Sequence, residues 1–218
     1  MTEECPFMLS SSKHSCSFSN PIGEKNEFMK KFTLSIIIVI LTFSLFRSAT
    51  NAQQQDRERL NQLQELLKPD VPRVLCLDQA FTTGAQPTDQ AYAKAAASGF
   101  RSVLSLRAGN EGVDLFRERA MVEKNNLRYF NIPVVSSAPQ PEQADEFIRI
   151  VREPANHPML INCASANRVG AFMMIYRVVE LGWPEDKALE EATKIGLSSE
   201  ALKKFAQNYI AQHKPKRT

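Results

Sequence analysis

The sequence predicts an α/β fold of three layers, in which a mainly parallel sheet of four to five strands lies between two layers of helices. Two features predict it. Short apolar runs alternate with stretches of helical periodicity after residue 70, the pattern of strands joined by helical crossovers. Glycine and proline fall between them at regular intervals, as punctuation between elements. The overall composition, 43% hydrophobic and 23% charged over 218 residues, is that of one globular domain with additions at its ends. A net charge of +3 is too weak to argue for a nucleic-acid partner.

The first 52 residues read as a segment outside that domain. Met29, Lys30 and Lys31 precede an uncharged apolar run from Phe32 to Phe46. Arg47-Ser48-Ala49-Thr50-Asn51-Ala52 follows. A positive start, an apolar middle and small residues at the end describe a secretory signal, with cleavage expected after Ala52. The run falls short of the roughly 20 apolar residues that a spanning helix needs. The expected location is therefore periplasmic or secreted, with membrane contact only during export, or a tether if the signal is retained. Residues 1–28 carry more glutamate than lysine, so translation is expected to start at Met29. Cys76 and Cys163 lie beyond the cut, and in an oxidising compartment two such cysteines could pair.

The elements are expected in this order. Residues 53–69 form a lead-in amphipathic helix with a stripe of Leu60, Leu63, Leu66 and Leu67, stopped by Pro69. The domain then runs from 70 to 213, and 214–218 is a solvated basic tail. Val74 to Leu77 reads as a brief strand, and Phe81 to Thr88 as turn chemistry around Gly84 and Pro87. Thr88 is placed to cap a helix to Ala97, which Gly99 ends. Strands follow at Arg101–Leu106, Leu127–Val135 and Met159–Asn162. Helices are expected at Val113–Lys124 and from Pro141, a favourable first helical position, to about Arg152. Three more lie at Val169–Leu181, Pro184–Ile195 and from Ser198 or Ser199 to about Gln212. Trp183 reads as a packing anchor between helices.

The stretch Met159-Leu160-Ile161-Asn162-Cys163-Ala164-Ser165-Ala166-Asn167-Arg168-Val169-Gly170 carries the chemistry. It reads as an apolar strand that delivers Cys163 into a tight polar loop, followed at once by Arg168 and a helix. A loop that opens a helix points successive N–H groups inward and adds the positive end of a helix dipole, which makes an oxyanion socket. Ala164, Ser165, Ala166, Asn167, Val169 and Gly170 would complete that socket, with Arg168 closing it as a planar fork. The loop has no glycine, and Asn167 is the residue expected to take any left-handed turn. In open α/β sheets ligands bind beyond the carboxyl ends of the strands. Arg107 and the loop holding Ser136 and Ser137 are expected on the same rim. There Arg107 would either contact an anion or sit in an ion pair.

Four blocks carry a family resemblance: Phe81–Thr88, Val103–Arg107, Tyr129–Val134 and Asn162–Gly170. Together they resemble the bacterial beta-lactamase-hydrolase-like phosphatase domain, within the dual-specificity and tyrosine phosphatase superfamily. The resemblance spans roughly residues 70–195. It implies that Cys163 attacks phosphorus to give a phosphocysteine that water hydrolyses, with Arg168 and the loop N–H groups holding the equatorial oxygens.

The sequence departs from that family at four points. The spacing is C-x4-R rather than C-x5-R, which matches the loop size of rhodanese-type sulfurtransferases. Asn162 stands where these phosphatases carry His, and Val169 where they carry Ser or Thr. The loop Val134–Pro139, where the general acid normally sits, has no carboxylate. Asp114 and Asp145 read as solvated helix charges. His157 and His213 suggest neither a triad nor a metal site, so no cofactor is expected.

Three readings follow. The first is an exported phosphomonoester hydrolase; the second a sulfurtransferase carrying a persulfide on Cys163; the third a non-catalytic phosphate- or sulfate-binding module. The substrate would be a phosphorylated or sulfane-sulfur small molecule or protein, not a nucleic acid.

Overall fold

A computed structural model describes residues 51–213. Residues 1–50, which hold the Met29 start and most of the expected export signal, lie outside the described residues, and the expected cut after Ala52 falls within a helix. Among the described residues, no helix is long and apolar enough to cross a membrane.

From Gln54 on, the described residues form one compact unit. From the first described residue, helix α1 runs to residue 67, ending shortly before Pro69. Of its leucines, Leu67 is completely buried and Leu63 packs beside it, while Leu66 stays half-exposed. Strand β1 (Leu75–Cys76) and β2 (Phe81–Gly84) follow, then α2 (Asp89–Ala97), β3 (Ser102–Ser105), α3 (Leu115–Lys124), β4 (Arg128–Asn131) and α4 (Pro141–Val151). A 3₁₀ turn (Pro154–Asn156) leads to β5 (Met159–Asn162), and three helices close the chain: α5 (Asn167–Val179), α6 (Glu185–Ile195) and α7 (Glu200–His213).

The sheet has five strands in the order β1-β2-β5-β3-β4. Only the edge pair β1–β2 is antiparallel; β2, β5, β3 and β4 run parallel. Two apolar layers cover the faces. Ile161, Leu104 and Ile132 point to α4, α5, α6 and α7, where Phe147, Phe172 and Met173 complete the larger core. Leu160, Val103 and Tyr129 point to α2, α3 and the end of α1. A parallel sheet buried on both faces uses apolar side chains at successive positions, which is why Met159, Leu160 and Ile161 are all completely buried.

The structure departs from the sequence expectations at β2. Residues 81–84 form an interior strand between β1 and β5, not a turn. The strand lacks apolar alternation because its threonines bond to the edge strand. Thr83 Oγ1 donates to the Leu75 carbonyl at 3.2 Å, and Thr82 Oγ1 to Cys76 Sγ at 3.4 Å. Thr88 sits at the cap position of α2, but its hydroxyl donates to Asp70 Oδ1 at 2.9 Å instead of capping.

Cys76 and Cys163 are both free. Cys76 faces Thr82, and Thr82 faces Leu160, so the two cysteines stand two strands apart and three residues out of register. Two strand spacings alone are about 9.5 Å, beyond the roughly 4.4–6.8 Å between Cα atoms that a disulfide spans.

The last three helices pack tightly around Gly170. A Cβ there would lie 2.7 Å from the Ala192 carbonyl oxygen, 2.9 Å from Leu197 Cβ and 3.0 Å from Leu197 N. Two of these contacts are backbone atoms, so relief requires moving α6 away from α5. Gly170→Ala is therefore expected to lower stability by about 1–3 kcal/mol, although alanine is the better helix former in isolation. A denaturation midpoint equal to or above the parent's would contradict this packing.

Candidate active site

Strand β5 ends at Asn162, and its pleat sends consecutive side chains to opposite faces. Asn162 joins the α2–α3 side, and Cys163, 1% exposed, joins the α5 side. After three intervening residues the chain enters α5 at Asn167. The turn is made at Ala166, with φ 65° and ψ 1°. Asn167 is instead the first residue of α5. Its side chain reaches away, donating to Ser198 Oγ at 2.9 Å and accepting from the N–H groups of Ser198 (3.1 Å) and Ser199 (3.2 Å). It thus tethers the loop to the start of α7. A left-handed alanine costs about 1–2 kcal/mol, and Ala166 is completely buried.

No side chain caps α5. Among the described residues, the N–H groups of Ala164, Ser165, Ala166 and Asn167 have no protein acceptor. Ala164 and Ser165 are exposed, Asn167 is half-buried and Ala166 is buried, so the loop opens to solvent at its first two residues. Val169 and Gly170 lie deeper, inside α5: Val169 in the larger core and Gly170 against the α6–α7 link.

Arg168 is 3% exposed and heavily bonded. Its Nη1 donates to the carbonyls of Leu106 (2.9 Å) and Val134 (2.6 Å), at the ends of β3 and β4. The same nitrogen meets Glu111 Oε1 at 2.5 Å, and Nη2 meets Glu111 Oε2 at 2.7 Å. Glu111 thus grips the Nη1–Nη2 end of the fork, which leaves the Nε side of the guanidinium for a second anion. Burial disfavours the Arg168 charge, but the Glu111 carboxylate and the sulfur of Cys163 beside it outweigh that and raise its pKa further.

Glu111 was not singled out in the sequence, and the structure makes it the centre of the rim. Its Oε1 accepts from Ala108 N at 2.8 Å, and its Oε2 lies 2.8 Å from Arg107 Nε. The Arg168 hydrogen bonds hold its carboxyl well down, at about 2. The signal for it was indirect: a buried arginine requires a buried acceptor, and Arg107 and Glu111 stand four apart across Gly109. Arg107 falls on the ion-pair side of its two expected roles. Its Nη1 donates to Gln86 Oε1 (2.8 Å) and its Nη2 to the Glu111 carbonyl (3.0 Å), so it braces the Glu111 loop.

The two aspartates weighed in the sequence are engaged within and between helices. Asp114 caps α3 by accepting from Arg117 N at 2.9 Å, and Asp145 accepts from the Tyr209 hydroxyl on α7. Ser136 and Ser137 are exposed in the turn after β4, whose Val134 carbonyl reaches the site.

A second polar cluster lies on the opposite face of β5. Glu118, 5% exposed, accepts from Gln86 Nε2 (2.9 Å) and from the hydroxyls of Tyr92 (2.9 Å) and Tyr129 (2.7 Å). Asn162 Nδ2 lies 3.5 Å away, at the limit of bonding. Burial, then the Glu118 charge, raises the pKa of both tyrosines, so both stay protonated donors.

A strand, a cysteine, a short loop open at a helix N-terminus and a buried arginine at the carboxyl edge of a parallel sheet define the cysteine-dependent phosphatase class of folds. The chain belongs to the family described as DSP-PTPase phosphatase fused to NAD+ kinase, whose family model matches residues 72–214. That places it in the dual-specificity and tyrosine phosphatase superfamily. Solved structures share the fold at low identity. A DUF442 protein from Shewanella putrefaciens CN-32 aligns with a TM-score of 0.59 at 16% identity, covering 68% of this chain and 97% of that one. TpbA of P. aeruginosa aligns with a TM-score of 0.51 at 23% identity, covering 65% and 84%. The core catalytic domain of the PP-IP phosphatase SIW14 of S. cerevisiae gives 0.56 at 14%, covering 64% and 87%. No curated protein matches the sequence.

Proposed function

We propose that this chain is an exported phosphatase that hydrolyses phosphomonoesters through a phosphocysteine on Cys163. The observation that carries this reading is the arrangement of Arg168. Its Nη1–Nη2 end is fixed by Glu111 and two backbone carbonyls, and the Cys163 sulfur lies beside the same guanidinium, at the start of a loop whose N–H groups have no protein acceptor among the described residues. Preorganised donors of this kind stabilise charge on transferring phosphoryl oxygens without reorganising. TpbA, a structural relative, forms a complex with pTyr. Export rests on the sequence pattern of residues 29–52.

In the first step the Cys163 sulfur forms a bond to phosphorus and the ester P–O bond breaks. In the second a water oxygen attacks phosphorus, the S–P bond breaks, and phosphate leaves with the thiol restored. Glu111 stays ionised on Arg168 at neutral pH and is no proton donor, so this reading assigns the proton of the leaving oxygen to water. Esters of acidic alcohols suit such a site, and a small aryl phosphate is the appropriate probe. The reduced chain is expected to release phosphate and phenol from it in equal amounts. No release at neutral pH would overturn the reading.

A further inference from the structure

One cation near the loop is not used by this mechanism. Arg73 lies in the turn between α1 and β1, which is bonded to the carboxyl end of β2. Ala85 N donates to the Pro72 carbonyl at 2.8 Å, and Thr88 N to the Asp70 carbonyl at 2.9 Å. Gly84 has no room for a side chain, because a Cβ would meet Val71 Cγ1 at 2.3 Å. The turn is therefore pressed onto the strand that flanks β5, with Gly84 opposite Asn162 in register.

Arg73 itself has φ 56°, a conformation that a long side chain adopts at a cost. Its guanidinium packs over Gly196 at the α6–α7 link. A Cβ on Gly196 would lie 3.3 Å from Arg73 Cζ and Nη2, and 3.2 Å from Ala166 Cβ. The cation and the turning residue of the Cys163 loop therefore meet at one point. Arg73 is exposed, and among the described residues it enters no ion pair. The nearest carboxylate in sequence, Asp70, is engaged by Lys94 at 2.6 Å and by Thr88 at 2.9 Å. Three features thus converge: a strained arginine, a glycine whose missing side chain gives it space, and contact with the loop.

We propose that Arg73 is a second anion-binding residue of this site, taking the neighbouring phosphoryl group of a small substrate that carries two. The proposal rests on reading the Cys163 loop as the phosphate cradle. Such a substrate would place one phosphoryl group against Cys163 and Arg168 and the next toward the Ala166 end of the loop, beside which the Arg73 guanidinium lies. A planar guanidinium matches that second group with two parallel hydrogen bonds.

The test is calorimetric titration of the full-length Cys163→Ser protein with inorganic phosphate and with inorganic pyrophosphate. The parent is expected to bind pyrophosphate at least about tenfold more tightly. Arg73→Gly is the informative variant, because glycine accepts φ 56° without strain and the fold is kept; thermal denaturation checks that. It should remove most of the preference, and Arg73→Lys should restore part of it. A preference that survives Arg73→Gly overturns the proposal. So does an equal loss of affinity for both anions, which would make Arg73 a packing residue. Failure of the parent to bind either anion would instead overturn the phosphate-cradle reading, and this inference with it.

Discussion

Cys163→Ser is expected to abolish aryl phosphate hydrolysis, with kcat falling by about 10³-fold or more, while affinity for inorganic phosphate stays within a few-fold. The serine hydroxyl fits the same space at the end of β5 but is a poor nucleophile at neutral pH without a base. Glu111, the carboxylate bonded to Arg168, is held by that guanidinium rather than by position 163. The anion-binding groups are backbone N–H groups and Arg168, which the substitution leaves in place. Steady-state kinetics together with phosphate titration separates the two effects. A variant that keeps more than a tenth of the parent rate would refute covalent catalysis at Cys163, and one that loses phosphate binding as well would show that the thiol holds the loop in shape.

Glu111→Gln is the second large effect, and it acts on stability and turnover together. The substitution keeps the size of the side chain and removes the charge facing Arg168, whose side chain is 4% exposed. An uncompensated buried guanidinium costs several kcal/mol in full; with the two carbonyls and the glutamine oxygen still accepting, the loss is expected to be about 3 kcal/mol. The freed fork no longer has a fixed orientation, and kcat/KM for an aryl phosphate should fall about 10²-fold. The pH dependence identifies the cause. The Glu111 carboxyl is depressed to about 2 in the fold from an ordinary 4.5. Its contribution is therefore complete above about pH 4.5 and is lost as the pH falls toward 2. The stability gap between parent and Glu111→Gln should close over that interval, as read by denaturant titration at successive pH values. A gap that stays constant would locate the effect in packing.

Candidate site residues that stand out by type were legible in the sequence; those that matter by position were not. Cys163 and Arg168 stand out because a thiol and a guanidinium flank one short loop between a strand and a helix. The three-layer architecture was also plain, because Val103, Leu104, Leu160 and Ile161 are continuous apolar runs that only a doubly covered sheet buries. Strand β2 escaped notice because Thr82 and Thr83 spend their hydroxyls on β1, a pairing that no local pattern encodes. Glu111 sits in a glycine-flanked loop and gains its meaning only where the ends of β3, β4 and β5 converge. The left-handed residue is Ala166 and not Asn167, because the α6–α7 link demands the asparagine side chain for itself.

That link has a wider consequence. Ala166 meets Gly196, Asn167 bonds to Ser198 and Ser199, and Gly170 abuts Leu197. Four residues between the last two helices therefore act as the mould in which a glycine-free loop is cast. The mould supplies no group to the Cys163 chemistry, yet the curvature of the loop is recorded in it. Among related chains, changes at positions 166, 167 and 170 should be inherited together with changes at 196–199. A shorter cysteine-to-arginine spacing would then be a property of the whole C-terminal half rather than of the loop alone.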